Sequence, residues 1–111
     1  MILATVRMTI PPQKSGEALK ILSSVAELGR DSPGCLGCHV YGDMQKKDVL
    51  MLQEVWNAKE DLDRHLRSDE YRNVLLLMEI ALEQPEIRFD TISISTGIET
   101  VQSARHLPTD E

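Results

Sequence analysis

Cys35, Cys38 and His39 stand in the order C-x-x-C-H within the stretch PGCLGCHVYGD. That spacing reads as attachment of a c-type haem, and its C-x-x-C part alone suits a thiol redox pair or a zinc knuckle. Each of these chemistries needs both sulfurs on one side of the backbone. His65 is a second candidate, because an imidazole titrates near neutrality and can take or give a proton. It shares a helical stripe with Ala58, Leu62 and Leu66, where a histidine that merely packs is equally at home. Trp56 and Tyr71 could wall a pocket for an aromatic ring, or anchor the core with their N–H and O–H groups paired. Arg7, His39 and Tyr41 could orient a polar substrate or form a polar seam between two packed sheets. The acids Glu60, Asp61, Asp63, Asp69 and Glu70 fall at no metal-ligand spacing and read as a solvated helix surface.

What these side chains can do depends on the elements that carry them. Residues 1–10 alternate, with Ile2, Ala4, Val6, Met8 and Ile10 on one face and Leu3, Thr5, Arg7 and Thr9 on the other, as in a strand. Pro11 and Pro12 break it. Ala18, Ile21, Leu22, Val25 and Leu28 then recur at helical spacing before Gly29 and the turn-like RDSPG. From Cys35 the alternation returns, placing Leu36, Cys38 and Val40 on one face and Cys35, His39 and Tyr41 on the other. The loop GDMQKKD turns the chain into a third strand, VLMLQEVW. In the second strand the two thiols would point to opposite faces, so C-x-x-C-H reads as coincidence, Cys38 as a core hydrophobe and Cys35 as a free thiol on the far face.

Asn57, with Glu60 three residues on, reads as the capping box of a short helix. Ser68, Asp69 and Glu70 read as the start of a third helix with an inward stripe of Tyr71, Val74, Leu75, Met78 and Leu82. Leu76, Leu77 and Ile80 fall elsewhere on its circumference, more apolar surface than one core-facing stripe requires. A last strand is expected over residues 87–95, with a bulge or bend near Asp90 and Thr91, and residues 96–111 read as a tail or arm.

The order β-α-β-β-α-β, with its second helix broken in two, predicts an α+β domain over residues 1–95: a ferredoxin-like split βαβ with an antiparallel sheet. Helices cover one face of such a sheet. The other, bearing Leu3, Thr5, Arg7, Cys35, His39 and Tyr41, is too apolar to be fully wetted and too polar for an ordinary core, and a second copy packed sheet to sheet would cover it. A homodimer is therefore expected. With 111 residues, 41% hydrophobic and 27% charged, the chain has the composition of one soluble globular domain. It contains no apolar run near the roughly 18 residues that span a bilayer, so no membrane partner is expected. A formal net charge of -6 offers no basic footprint for nucleic acid. The opening MILATVRMTI has no basic n-region, and Arg7 interrupts its apolar run, so a cytoplasmic location is expected, where thiols stay reduced.

The segment LQEVWNAKEDLDRHLRSDEYRNVL, preceded by PGCLGCHVYGD, resembles the antibiotic biosynthesis monooxygenase (ABM) family. The likeness lies in a Glu-x-Trp strand end, an acidic short helix bearing a His, and a Ser-Asp/Glu-aromatic helix start, and it extends over about residues 1–95. It implies a dimeric α+β barrel. It also implies oxidation of a small aromatic, a quinol or polycyclic phenol, by O2 with no cofactor, neither metal nor flavin. Within that frame His65 is the catalytic base or proton shuttle, and Trp56, Arg7, His39, Tyr41 and Tyr71 are the substrate-binding candidates. Haem-degrading relatives of the same fold use an Asn, a Trp and a haem-ligating His at positions that here hold Val6, His65 and Leu75, so the axial ligand is missing. The other reading open at this point is a dimeric binding module that holds a small apolar ligand without catalysis.

Overall fold

The structure, a computed structural model, describes residues 1–106. Along the chain lie β1 (Ile2–Thr9), a 3-10 turn (Pro12–Lys14), α1 (Ser15–Arg30), β2 (Cys35–Gly42), β3 (Val49–Trp56), α2 (Lys59–Leu66), α3 (Tyr71–Ile80), β4 (Glu86–Thr91) and α4 (Ile98–Ala104). The strands form one antiparallel sheet in the order β2-β3-β1-β4, the order of a ferredoxin-like split βαβ.

The period-two pattern of β1 buries Ala4, Val6, Met8 and, just beyond the strand, Ile10; in β3 Leu50, Leu52, Glu54 and Trp56 turn to the same side. The buried residues Ala18, Leu22, Val25 and Ala26 of α1 and Tyr71, Val74 and Leu77 of α3 pack on that face and form the main core with it. A smaller cluster of Ala4, Trp56 and Leu62 lies under α2.

Several details depart from the reading of the sequence. In β2 the pairing runs Cys35↔Trp56, then Gly37↔Val55, so a bulge takes up Leu36 as the extra residue. The bulge reverses the side-chain phase before Gly37. Leu36 is consequently 58% exposed, and Cys35 turns to the helix side with Cys38, packing against both core clusters. The thiols therefore do not lie on opposite faces, and Cys35 is not on the open face. Both are free thiols, with Cys38 sealed in the core and His39 exposed on the opposite face, so the three side chains do not converge on one site.

Asn57 does not cap α2: the N-cap is Ala58 without a side-chain bond, and the Asn57 amide donates to the Gly34 carbonyl at 2.8 Å. In α3 the inward stripe runs through Leu77, while Leu75 and Leu82 are exposed, because Tyr71, Val74 and Leu77 at three-residue steps track the core. α1 continues past the expected end at Leu28, which is exposed, and buries Gly29 instead. β4 ends at Thr91, and its pairing with β1 runs unbroken from Glu86 to Thr91, so no bulge lies at Asp90 or Thr91. The change of apolar phase at Ile92 and Ile94 marks the chain leaving the sheet. Within residues 96–111, α4 is helical and exposes Ile98 and Val101, and residues 107–111 lie outside the described residues. Among the described residues no helix is long and apolar enough to cross a membrane.

Candidate functional site

Glu54 interrupts the run of apolar residues that β3 sends into the core, and it is 1% exposed. A buried carboxylate needs partners, since removing such a charge from water costs several kcal/mol. Two are present. Nε2 of His65, on the inward side of α2, lies 2.5 Å from Oε2 of Glu54. The Cys38 thiol, across the β2–β3 ladder, donates to the same oxygen at 3.4 Å. The imidazole is turned so that an in-plane Nε2–H does not aim squarely at that oxygen. Even so, a ring nitrogen and a carboxylate oxygen at this separation attract only with a proton between them.

Aromatic rings hold the imidazole in place. The Trp56 ring lies 4.7 Å from it, tilted by 35°, and the Tyr71 ring 5.4 Å away, edge-on at 73°. The Ser68 hydroxyl donates to the His65 carbonyl at 2.6 Å, which fixes the end of α2. Gly29 leaves room on the remaining side, since a Cβ there would stand 3.1 Å from Cys38 Sγ and 3.5 Å from His65 Cε1. Burial pushes the Cys38 thiol and the Tyr71 phenol well above their ordinary titration ranges, and the neighbouring Glu54 charge pushes them further. Cys35 is raised as well, again chiefly by burial.

Two cavities flank α2. On the side of the α1–β2 turn, one of about 170 Å³ is lined by Leu28 and Pro33 together with Ser32, Asp61, Arg64, His65, Ser68 and Glu70. On the β4 side, an apolar cleft of about 270 Å³ is lined by Ile2, Leu62, Leu66 and Phe89 together with Lys59, Asp63 and Thr91. His65 belongs to the wall of the first.

The structure thus gathers Trp56, His65 and Tyr71 between sheet and helices, and places Arg7, His39 and Tyr41 on the opposite face of the sheet. There the Arg7 guanidinium donates to Asp43 at 2.9 Å, and the His39 and Tyr41 rings stand 6.3 Å apart. Contrary to the expectation of a paired indole, Trp56 Nε1 is buried with no partner among the described residues. Glu54 and Cys38 were not among the sequence-derived site residues. The signal for Glu54 lay in the strand phase: Leu50, Leu52 and Trp56 mark every second residue as inward, and a carboxylate stands at the position between the last two. Among the described residues no group of three or more His, Cys, Asp or Glu is placed to hold a metal ion.

A sheet in this order, with its helices on one face and a buried acid–imidazole pair beneath them, is the frame of a small α+β pocket protein. A family model described as antibiotic biosynthesis monooxygenase matches residues 1–75, and the chain belongs to that family. Solved structures agree in fold. A conserved protein from Methanosarcina mazei Go1 is 27% identical with a TM-score of 0.73, over 80% of this chain and 89% of that one. A crystal structure described as an antibiotic biosynthesis monooxygenase is 19% identical with a TM-score of 0.75, over 85% of this chain and 100% of that one. Rv0793 from Mycobacterium tuberculosis is 18% identical with a TM-score of 0.76, over 86% of this chain and 98% of that one. No curated protein matches the chain.

Proposed function

We propose that the protein oxidises a small electron-rich aromatic, a quinol or phenol, with O2, and that His65 is its base. The observation that carries this reading is the buried contact between His65 and Glu54 in a chain of a monooxygenase family. Apolar residues of similar volume often stabilise a core as well as or better than a buried ion pair, so a buried pair beside a cavity points to chemistry. His65 takes the hydroxyl proton of the substrate, and the resulting electron-rich anion passes an electron to O2. The protein supplies orientation, exclusion of water and a proton path, and the reading requires neither metal nor flavin. It places the protein in the cytoplasm, where Cys35 and Cys38 stay reduced, and in a homodimer whose second copy covers the open sheet face.

Oxygen uptake with a panel of quinols and phenols tests the reading, comparing wild type with His65→Gln. The glutamine can still donate to Glu54 but cannot titrate, so the variant is expected to fold and to lose turnover by roughly a hundredfold. A folded His65→Gln protein with wild-type turnover ends the catalytic role of His65.

The apolar cleft between α2 and β4 supports a second reading, because a ligand there touches Ile2, Leu62, Leu66 and Phe89 and not His65. In that case the protein binds a small apolar molecule without turnover, and no quinol in the panel consumes oxygen.

A further inference from the structure

We infer that Glu54 is a positioning residue that holds His65 as its Nε2–H tautomer, so that Nδ1 is the working base and the cavity whose wall includes His65, not the cleft between α2 and β4, receives the substrate hydroxyl. The inference rests on the proposed role of His65 and adds the atom, the direction of approach and the size of the substrate.

The proton in the Glu54–His65 contact could sit on either partner. Cys38 favours the imidazole. Its S–H is directed at Oε2 of Glu54, the same oxygen that Nε2 approaches. A hydrogen bond from the thiol stabilises the ionised form of the carboxyl, and an ionised Oε2 lying 2.5 Å from Nε2 places the proton between them on the imidazole nitrogen. A histidine with Nε2 committed to a carboxylate has a bare Nδ1 when neutral, the same logic by which a buried acid orients the base of a catalytic triad. Turning the ring over would put a carbon against Glu54, and Trp56, Tyr71 and the Gly29 backbone confine it as it stands.

With Nε2 turned inward, Nδ1 is the ring nitrogen left to serve the cavity whose wall His65 forms. That wall suits a hydroxylated aromatic: the Ser32 and Ser68 hydroxyls, which donate to the Leu28 and His65 carbonyls, keep oxygen lone pairs that can accept from a substrate hydroxyl, and Leu28 and Pro33 supply apolar surface for a ring. Its volume of about 170 Å³ is below the roughly 300 Å³ from which pockets for drug-sized ligands begin. A cavity of that size accommodates a single-ring phenol or hydroquinone, which is the substrate class of this inference.

Long-range proton–nitrogen NMR on protein carrying nitrogen-15 histidine reads the tautomer without any substrate. The neutral His65 is expected to show a protonated Nε2 and a bare Nδ1; a protonated Nδ1 with bare Nε2 overturns the inference, whatever the activity. Anaerobic hydroquinone is expected to move the His65 Nδ1 resonance and the Ser32 and Ser68 amides, and changes confined to Leu62, Leu66 and Phe89 overturn the assignment of the cavity. Glu54→Gln, whose amide can also donate and so no longer imposes one tautomer, is expected to retain its melting temperature within a few degrees. Its kcat should fall by roughly tenfold or more with little change in KM, and a bare Nε2 signal should appear. A folded Glu54→Gln protein with wild-type kcat and an unchanged tautomer also overturns it. An Nε2–H tautomer in a protein that consumes no oxygen with any quinol leaves the positioning by Glu54 standing and removes the proposed oxidation instead.

Discussion

Nε2 of His65 and Oε2 of Glu54 are 2.5 Å apart, on side chains that are 4% and 1% exposed. The apolar stripe of Ala58, Leu62 and Leu66 suggests that a leucine could replace His65 at little cost, but the opposing carboxylate changes that expectation. The pair is a unit, and its halves are not independently dispensable.

His65→Leu should lose about 3–5 kcal/mol of stability, because it strands a buried carboxylate. Adding Glu54→Leu should recover most of that loss, since two apolar residues of similar volume can fill the same space. Chemical denaturation of wild type, both single variants and the double variant yields the coupling energy directly, and additive losses would show that the contact does not form in solution.

Two glycines are fixed by close approach. Gly34 has a φ of 81°, and a Cβ on it would collide with the Asp61 carboxylate, so Gly34→Ala should cost about 1–2 kcal/mol or more. Gly29→Ala would gain helix propensity but presses 3.1 Å against the sulfur of Cys38, which is buried and bonded to Glu54. A net loss of about 1 kcal/mol is expected, relieved in the double variant with Cys38→Ala. Thermal melts of the four proteins test both statements.

Stability should decline on the alkaline side. Folding raises the titration of Cys38, Cys35 and Tyr71, in each case mainly by burial, so the folded state favours their neutral forms. The contribution is fully present below the unfolded values, about 8.5 for a thiol and about 10 for a phenol, and is lost as pH rises through the folded ones. Denaturation midpoints measured from pH 7 to 11 should fall across this window, and the fall should be shallower in Cys38→Ala with Tyr71→Phe. At pH 8, iodoacetamide should modify Cys35, at the edge of the core, before the sealed Cys38.

The open face of the sheet should be an interface between two copies. It presents Leu3, Met51 and Val55 half-buried and Tyr41 46% exposed, interleaved with Thr5, Arg7, His39 and Gln53. Light scattering at micromolar concentration should give the mass of two chains, and Val55→Asp, between Leu3 and Gly37 on this face, should shift it toward one. A wild-type mass of one chain at that concentration rejects the dimer.

Much of this protein is written in local patterns. Alternation in β1 and β3 and the helical spacing of Ala18, Leu22 and Val25 identify which faces are buried, because burial selects side chains with the period of the element that carries them. The order of those elements was enough for the ferredoxin-like arrangement, and the motifs around Trp56, His65 and Tyr71 for the family. Other features were decided by partners distant in sequence. The bulge that brings Cys35 to the side of Cys38 exists only in the pairing of β2 with β3, and nothing within PGCLGCHVYGD signals that Leu36 is the extra residue. Which of Leu75, Leu76 and Leu77 enters the core depends on how α3 lies across the sheet, since three adjacent leucines carry no period. The contact between Glu54 and His65 joins a strand to a helix, and Cys38 reaches it from a third element. The sequence marks Glu54 as a carboxylate in an apolar phase, but only the packing of α2 against β3 supplies the imidazole that makes its burial tolerable.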